Sequence, residues 1–169
     1  MAIRQIRLLG DPVLRESCRV IDDIDDDMRQ LIDDLMDTMY EADGIGLAAP
    51  QIGVSQRVFV YDVREDGHSP GVLVNPRIIE NTGAIRESEG CLSIPDLTEI
   101  VERSSSIVVE GLDGEGRPIR LEADGLLSRC LQHETDHLDG ILFFDRISPL
   151  KRKMLLAKWA KGNKGEGSE

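Results

Sequence analysis

At 169 residues with a formal net charge of −12, the chain is long enough to bury one substantial core, and its acidity argues against broad nucleic-acid binding. Its three cysteines include no CxxC pair, which points to reduced thiols in a reducing compartment and not to a disulfide framework. No apolar run reaches membrane-spanning length and the start, MAIRQIR, lacks a signal-peptide core, so a cytoplasmic protein with no membrane partner is expected.

In chain order, Cys18 reads as an ordinary structural thiol, and Asp22, Asp23, Asp25, Asp26 and Asp27 read as a solvated turn. Between Asp27 and Glu41, the residues Met28, Leu31, Ile32, Leu35, Met36, Met39 and Tyr40 follow helical spacing. They stand behind aspartates that favour a helix N-terminus, which predicts a packed structural helix. Residues 44–51, GIGLAAPQ, form a small-residue loop without the GxGxxG or P-loop signature. Residues 57–63, 72–75, 106–110 and 118–121 read as strands separated by Gly, Pro and Asp turns. A helix carrying QHETDH follows. At the end Lys151, Arg152, Lys153, Lys158, Lys161 and Lys164 gather around Met154, Leu155, Leu156 and Trp159, a basic amphipathic helix able to dock on an anionic surface. The plainer alternative is a solubilising helix with a flexible Gly/Ser tail. Neither a repeat nor a long linker divides the chain, so the expected class is α+β. One catalytic domain, residues 1–150, places mainly antiparallel sheets around a central metal-binding helix, and residues 151–169 add the basic C-terminal helix and tail.

The chemistry concentrates in residues 132–137. His133 and His137 stand four apart, so on a helix they share one face and can grip one cation while Glu134 reaches water bound to it. A catalytic centre of this kind needs a third protein ligand and an open position. No histidine follows His137, and the only later glutamates, Glu166 and Glu169, lie in the Gly/Ser tail. Asp145 follows the helix too closely to turn back easily. Cys91, flanked by Gly90 where the backbone can approach closely, is the best third ligand. Cys130 precedes His133 by three residues and shares its face; as a ligand it would crowd the metal, so it reads as pocket lining. Beside these motifs Gln51 gains a meaning, since its amide can aim an N–H at a developing oxyanion.

The segments GIGLAAPQ, EGCLS and QHETDHLDG, in this order and at these separations, closely resemble the three signature motifs of the peptide deformylase family of bacterial type. The resemblance extends from Ile6 to Leu150. It implies a metal-dependent hydrolase that removes the N-formyl group from the N-terminal formyl-methionine of newly made polypeptides, using metal-bound water activated by Glu134. It also implies Cys91, His133 and His137 as ligands, Gln51 and the Leu92 N–H as oxyanion donors, and Gly46 as a backbone partner of the substrate. One divalent ion is implied, with Fe²⁺ expected and Zn²⁺, Ni²⁺ or Co²⁺ compatible with a thiolate beside imidazoles.

Leu126 and Cys130, seven and three residues before His133, fall on the metal-facing side of the helix and with Ile45 and Leu92 would form a slot for a methionine side chain. The substrate backbone would add as a strand beside Ile45 and Gly46. Thr98 stands where many relatives carry arginine. Asp136 is a candidate ion-pair partner for Arg103, bracing the metal helix. In the family, a basic C-terminal extension implies ribosome contact. Two competing readings are a metalloendopeptidase, which needs a downstream ligand, and a structural metal protein, which needs a closed four-ligand site.

Overall fold

The structure, a computed structural model, describes residues 2–166, with side chains through 162. Helix α1 (Asp26–Glu41) starts where the Asp25 carboxylate accepts the Met28 N–H at 2.8 Å, and Asp26 and Asp27 occupy its first turn. The aspartate run is therefore not all solvated turn: its second half builds a helix N-terminus, where negative charge is favourable. Met28, Leu31, Ile32, Leu35 and Met39 are buried at helical spacing.

Strands β1 (Gly46–Ala48), β2 (Val58–Tyr61), β3 (Gly71–Thr82), β6 (Ser106–Leu112) and β7 (Pro118–Asp124) form an antiparallel sheet in the order β1-β2-β3-β6-β7. A separate antiparallel ribbon pairs β4 (Ile85–Cys91) with β5 (Ile94–Arg103). All four residues of β2 are buried because the sheet is covered on both faces. Val58 and Val60 pack with the apolar stripe of α1, while Phe59 and Tyr61 pack with Leu127, Leu131 and Leu138 of α2 (Gly125–Leu138). The expected strands correspond to β2, β3, β6 and β7, and β3 runs well beyond its expected end; β1, β4 and β5 were not anticipated.

Helix α2 follows β7 directly and lies between the sheet and the ribbon. Arg129 donates from Nη2 to the Glu87 carbonyl at 3.1 Å, and Gln132 Oε1 accepts the Ser104 N–H at 3.0 Å. Beyond it, Leu142, Phe143 and Phe144 pack against Ile94 and Val101 of the ribbon. Helix α3 (Pro149–Glu166) adds Leu155 to this third cluster, with Leu156 and Trp159 packed against it; Leu150 and Met154 stay exposed. No helix among the described residues is long and apolar enough to cross a membrane.

Candidate active site

Four pieces of chain meet at one end of α2. Edge strand β1 brings Gly46, the following 3₁₀ turn (Ala49–Ile52) brings Gln51, the end of β4 brings Cys91, and α2 itself brings His133, Glu134 and His137. The ribbon loses register between Gly90 and Cys91: Gly90 pairs with Thr98, but Cys91 pairs with Ile94. Such an irregularity re-aims the side chain at its end. Asp96, in the excess segment on β5, takes a positive φ of 69°.

The ligand atoms of Cys91, His133 and His137 all lie within 4.8 Å of one another. Cys91 Sγ is 3.3 Å from His137 Nε2, which is 3.2 Å from His133 Nε2. Metal bonds of about 2.1–2.3 Å at a tetrahedral angle separate neighbouring donors by roughly 3.4–3.6 Å, so the donor spacing fits one first-row cation. Asp145, the other downstream carboxylate considered, bonds Arg15 and the Leu142 N–H instead, and Cys130 is not part of the donor cluster.

Glu134 is 4% exposed, and burial raises its carboxyl pKa to about 7. Its Oε1 has no hydrogen-bond partner among the described protein groups. A carboxyl near neutrality with a free oxygen beside a metal site is suited to accept and return a proton. Gly46 leaves room for it: a Cβ there would stand 2.6 Å from Glu134 Oε2. Gln51 is 1% exposed and doubly held. Its Oε1 accepts the Ala48 N–H at 3.0 Å, which turns the NH₂ toward Ser93 Oγ at 3.1 Å and Cys91 Sγ at 3.5 Å. The donor is thus fixed in advance on the metal side, as oxyanion stabilisation requires.

A cleft of about 500 Å³ runs past these groups. Gln51, Leu92, Cys91, His133 and Glu134 border it, as do Gly46, Ile45, Gly90, Leu126 and Cys130, whereas His137 is sealed behind at 1% exposure. Cys130 is buried, with Sγ 3.5 Å from the Ile45 carbonyl, and burial pushes its thiol well up, so it stays a neutral wall. Leu126 remains 38% exposed at the mouth. β1 is the sheet's edge, so the side of it away from β2 has no strand partner.

Sequence reasoning missed the support behind the ligands. Glu89 Oε1 lies 2.8 Å from His133 Nδ1, and the same carboxylate accepts from Arg103 Nε and Nη2 at 2.9 and 2.8 Å and from Arg129 Nη2 at 3.1 Å. Burial alone would raise the Glu89 pKa, but hydrogen bonds from Arg103 and His133 outweigh it and hold the group well below the usual carboxylate range. An ionised Glu89 accepts a hydrogen bond from the Nδ1–H of His133, which fixes the tautomer and leaves Nε2 free as the ligand atom. The expected Arg103 to Asp136 pair is present at 2.6 Å, and Arg146 joins it at 2.7 Å. Phe143 stacks on His133 with centroids 6.4 Å apart. Glu89 had a readable signal: two residues before Cys91 on a strand, it shares that residue's face. Arg129 had one too, four residues before His133 on the helix.

Taken together, fold and site define a metal-dependent hydrolase whose cleft is edged by an open strand. Residues 3–153 match the family model for polypeptide deformylase, and the chain belongs to that family. It is 52% identical over 162 residues to the peptide deformylase of Alkalilimnicola ehrlichii, covering 95% of this chain and 91% of that protein. Its fold is similar to a crystal structure of a peptide deformylase from Legionella pneumophila, with a TM-score of 0.91, 43% identity and 99% of each chain covered. It is also similar to the peptide deformylase of Synechococcus elongatus in complex with actinonin, with a TM-score of 0.85 and 46% identity over 90% of this chain and 85% of that one.

Proposed function

We propose that this chain hydrolyses the formyl group from the N-terminal formyl-methionine of newly made polypeptides, releasing formate and a free amino terminus. The observation that carries the reading is a converged three-donor set beside a buried carboxyl with an unpaired oxygen, on the wall of a cleft whose edge strand is open.

Cys91, His133 and His137 would hold one divalent ion, Fe²⁺ by expectation, with Zn²⁺, Ni²⁺ or Co²⁺ also compatible with this donor set. When bound, the ion supplies Lewis acidity and brings the pKa of water toward neutrality. Glu134 takes the proton of the attacking water and hands it to the departing amine. Gln51 Nε2 and the Leu92 N–H donate to the oxygen that becomes negative, each donor being worth about 3 kcal/mol of barrier. Ile45, Leu92, Leu126 and Cys130 form the slot for the methionine side chain, and Gly90 lines the same cleft. Backbone groups at Ile45 and Gly46 pair with the peptide main chain, which binds many sequences alike.

Residues 1–150 form the catalytic unit in this reading, and residues 151–169 the extension. On α3, Lys151, Lys153, Lys158 and Lys161 are exposed while Leu155 and Trp159 face inward, which supports contact of the basic side with the anionic ribosome as chains emerge in the cytoplasm.

Glu134→Gln separates catalysis from structure. The variant is expected to retain metal at wild-type stoichiometry and lose roughly 10²- to 10⁴-fold in kcat. Unchanged turnover would return a purely structural role for the metal.

A further inference from the structure

We propose that Arg64 is a positioning residue for substrate, fastening the outer end of the strand along which the peptide binds. The inference rests on the deformylase reading and deepens it. Asp43 and Gly44 form the cleft mouth just before Ile45 and Gly46. The last rungs joining this segment to β2 are the Gly46 pairing with Tyr61 and the Asp62 N–H on the Ile45 carbonyl at 2.8 Å. Outside those rungs the chain turns sharply, with Asp43 at a φ of 59°.

The Asp43 and Gly44 N–H groups bond back to the Tyr40 and Met39 carbonyls at 3.1 and 2.9 Å, and Arg64 supplies the tie on the β2 side. Its Nη1 donates to Asp43 Oδ1 at 2.6 Å and its Nη2 to the Gly44 carbonyl at 3.2 Å. The arginine is itself held. Its guanidinium lies 5.7 Å from the centroid of the Tyr40 ring, Tyr40 donates to Asp62 Oδ2 at 2.7 Å, and the Arg64 N–H donates to Asp62 Oδ1 at 3.0 Å. A forked, planar group holds a carboxylate and a carbonyl at once in a fixed geometry, which the rotating point charge of an ammonium does not preserve. With its formyl end at the donors beside Gly46 and Glu134, a peptide pairing with Ile45 and Gly46 would carry its later residues past Gly44. If that edge is already fixed, binding costs less ordering entropy.

The test compares metal-loaded wild type, Arg64→Ala and Arg64→Lys on formyl-methionine amide, which ends short of Gly44, and on a formyl-methionyl tripeptide. An exposed ion pair sets the scale, so KM for the tripeptide should rise about two- to fivefold in both variants. The value of kcat should hold, and KM for the short substrate should not change. Amide exchange in residues 43–46 should quicken in both variants. Unchanged tripeptide KM, equal changes for both substrates, or a fall in kcat overturns the inference. A wild type that releases no formate overturns the substrate reading itself, and this inference with it.

Discussion

Replacing Gly46 with alanine should disable turnover while leaving the fold and the metal ligands in place. The added Cβ would stand 2.6 Å from Glu134 Oε2 and 2.9 Å from both Cδ and Cγ of the same side chain. Comfortable contact begins at about 3.2–3.5 Å, so the carboxyl must withdraw by roughly 0.5–1 Å. Glu134 is buried and its neighbours are close-packed, so the withdrawal moves it from the position where it can take the water's proton. A displacement of about 1 Å costs on the order of a hundredfold in rate, or about 2.7 kcal/mol of barrier. The fold should survive with a loss of at most about 3 kcal/mol, because φ at Gly46 is not positive and alanine stiffens the unfolded chain by up to ~1 kcal/mol, against ~1–3 kcal/mol for overpacking. For a chain of this size that is a loss of no more than about 12 °C in Tm. Steady-state formate release, metal analysis and thermal melting together decide the matter. A variant with wild-type kcat would refute the placement of Glu134, and one that loses its metal would show that the contact supports the ligands instead.

Further outcomes follow from the groups around the site. Glu89→Ala leaves His133 Nδ1 without its acceptor, so metal affinity measured by chelator competition should fall about 10- to 100-fold. It also leaves Arg103 and Arg129 without their shared carboxylate, for a loss of ~3–5 kcal/mol in urea unfolding. Undiminished metal affinity would contradict the tautomer argument. Asp145 is part-buried; burial raises its pKa, but bonds from Arg15, the Leu142 N–H and Arg152 bring the net shift below the usual value. A depressed folded pKa contributes stability that is fully present above the unfolded value of about 3.9 and is lost as pH falls through the folded value. Asp145→Asn should therefore cost about 1–2 kcal/mol at pH 7, and the gap should close in acid; a gap independent of pH would rule out the charge as its source. Leu155→Ala, at a buried position of α3, should cost ~2–5 kcal/mol while kcat/KM at 25 °C stays intact.

Legibility tracked the strength of local periodicity. The His133 to His137 spacing and the α1 stripe survive into the structure because a helix alone decides which residues share a face. Cys91 was legible by elimination, but the ribbon carrying it was not. Arg86, Glu87, Ser88 and Glu89 on β4, and Asp96, Thr98, Glu99 and Glu102 on β5, give two strands rich in polar residues with little apolar alternation. Missing β4 also hid Glu89, whose role depends on strand geometry that places it beside Cys91. Only three residues long, β1 is too short for any period to emerge. The fastening of Gly44 by Arg64 joins residues 20 apart across the whole β1–β2 connection, with positive φ at Asp43 and Arg64, information that resides in the tertiary path alone.

The central claim is deformylation, and it is tested most directly by formate release from a formyl-methionyl peptide. The protein should be purified anaerobically with Fe²⁺, and the same peptide with an acetyl cap serves as the control. Rapid release from the formyl peptide and none from the acetyl peptide is the predicted result; metal-replete protein that releases no formate would contradict the account.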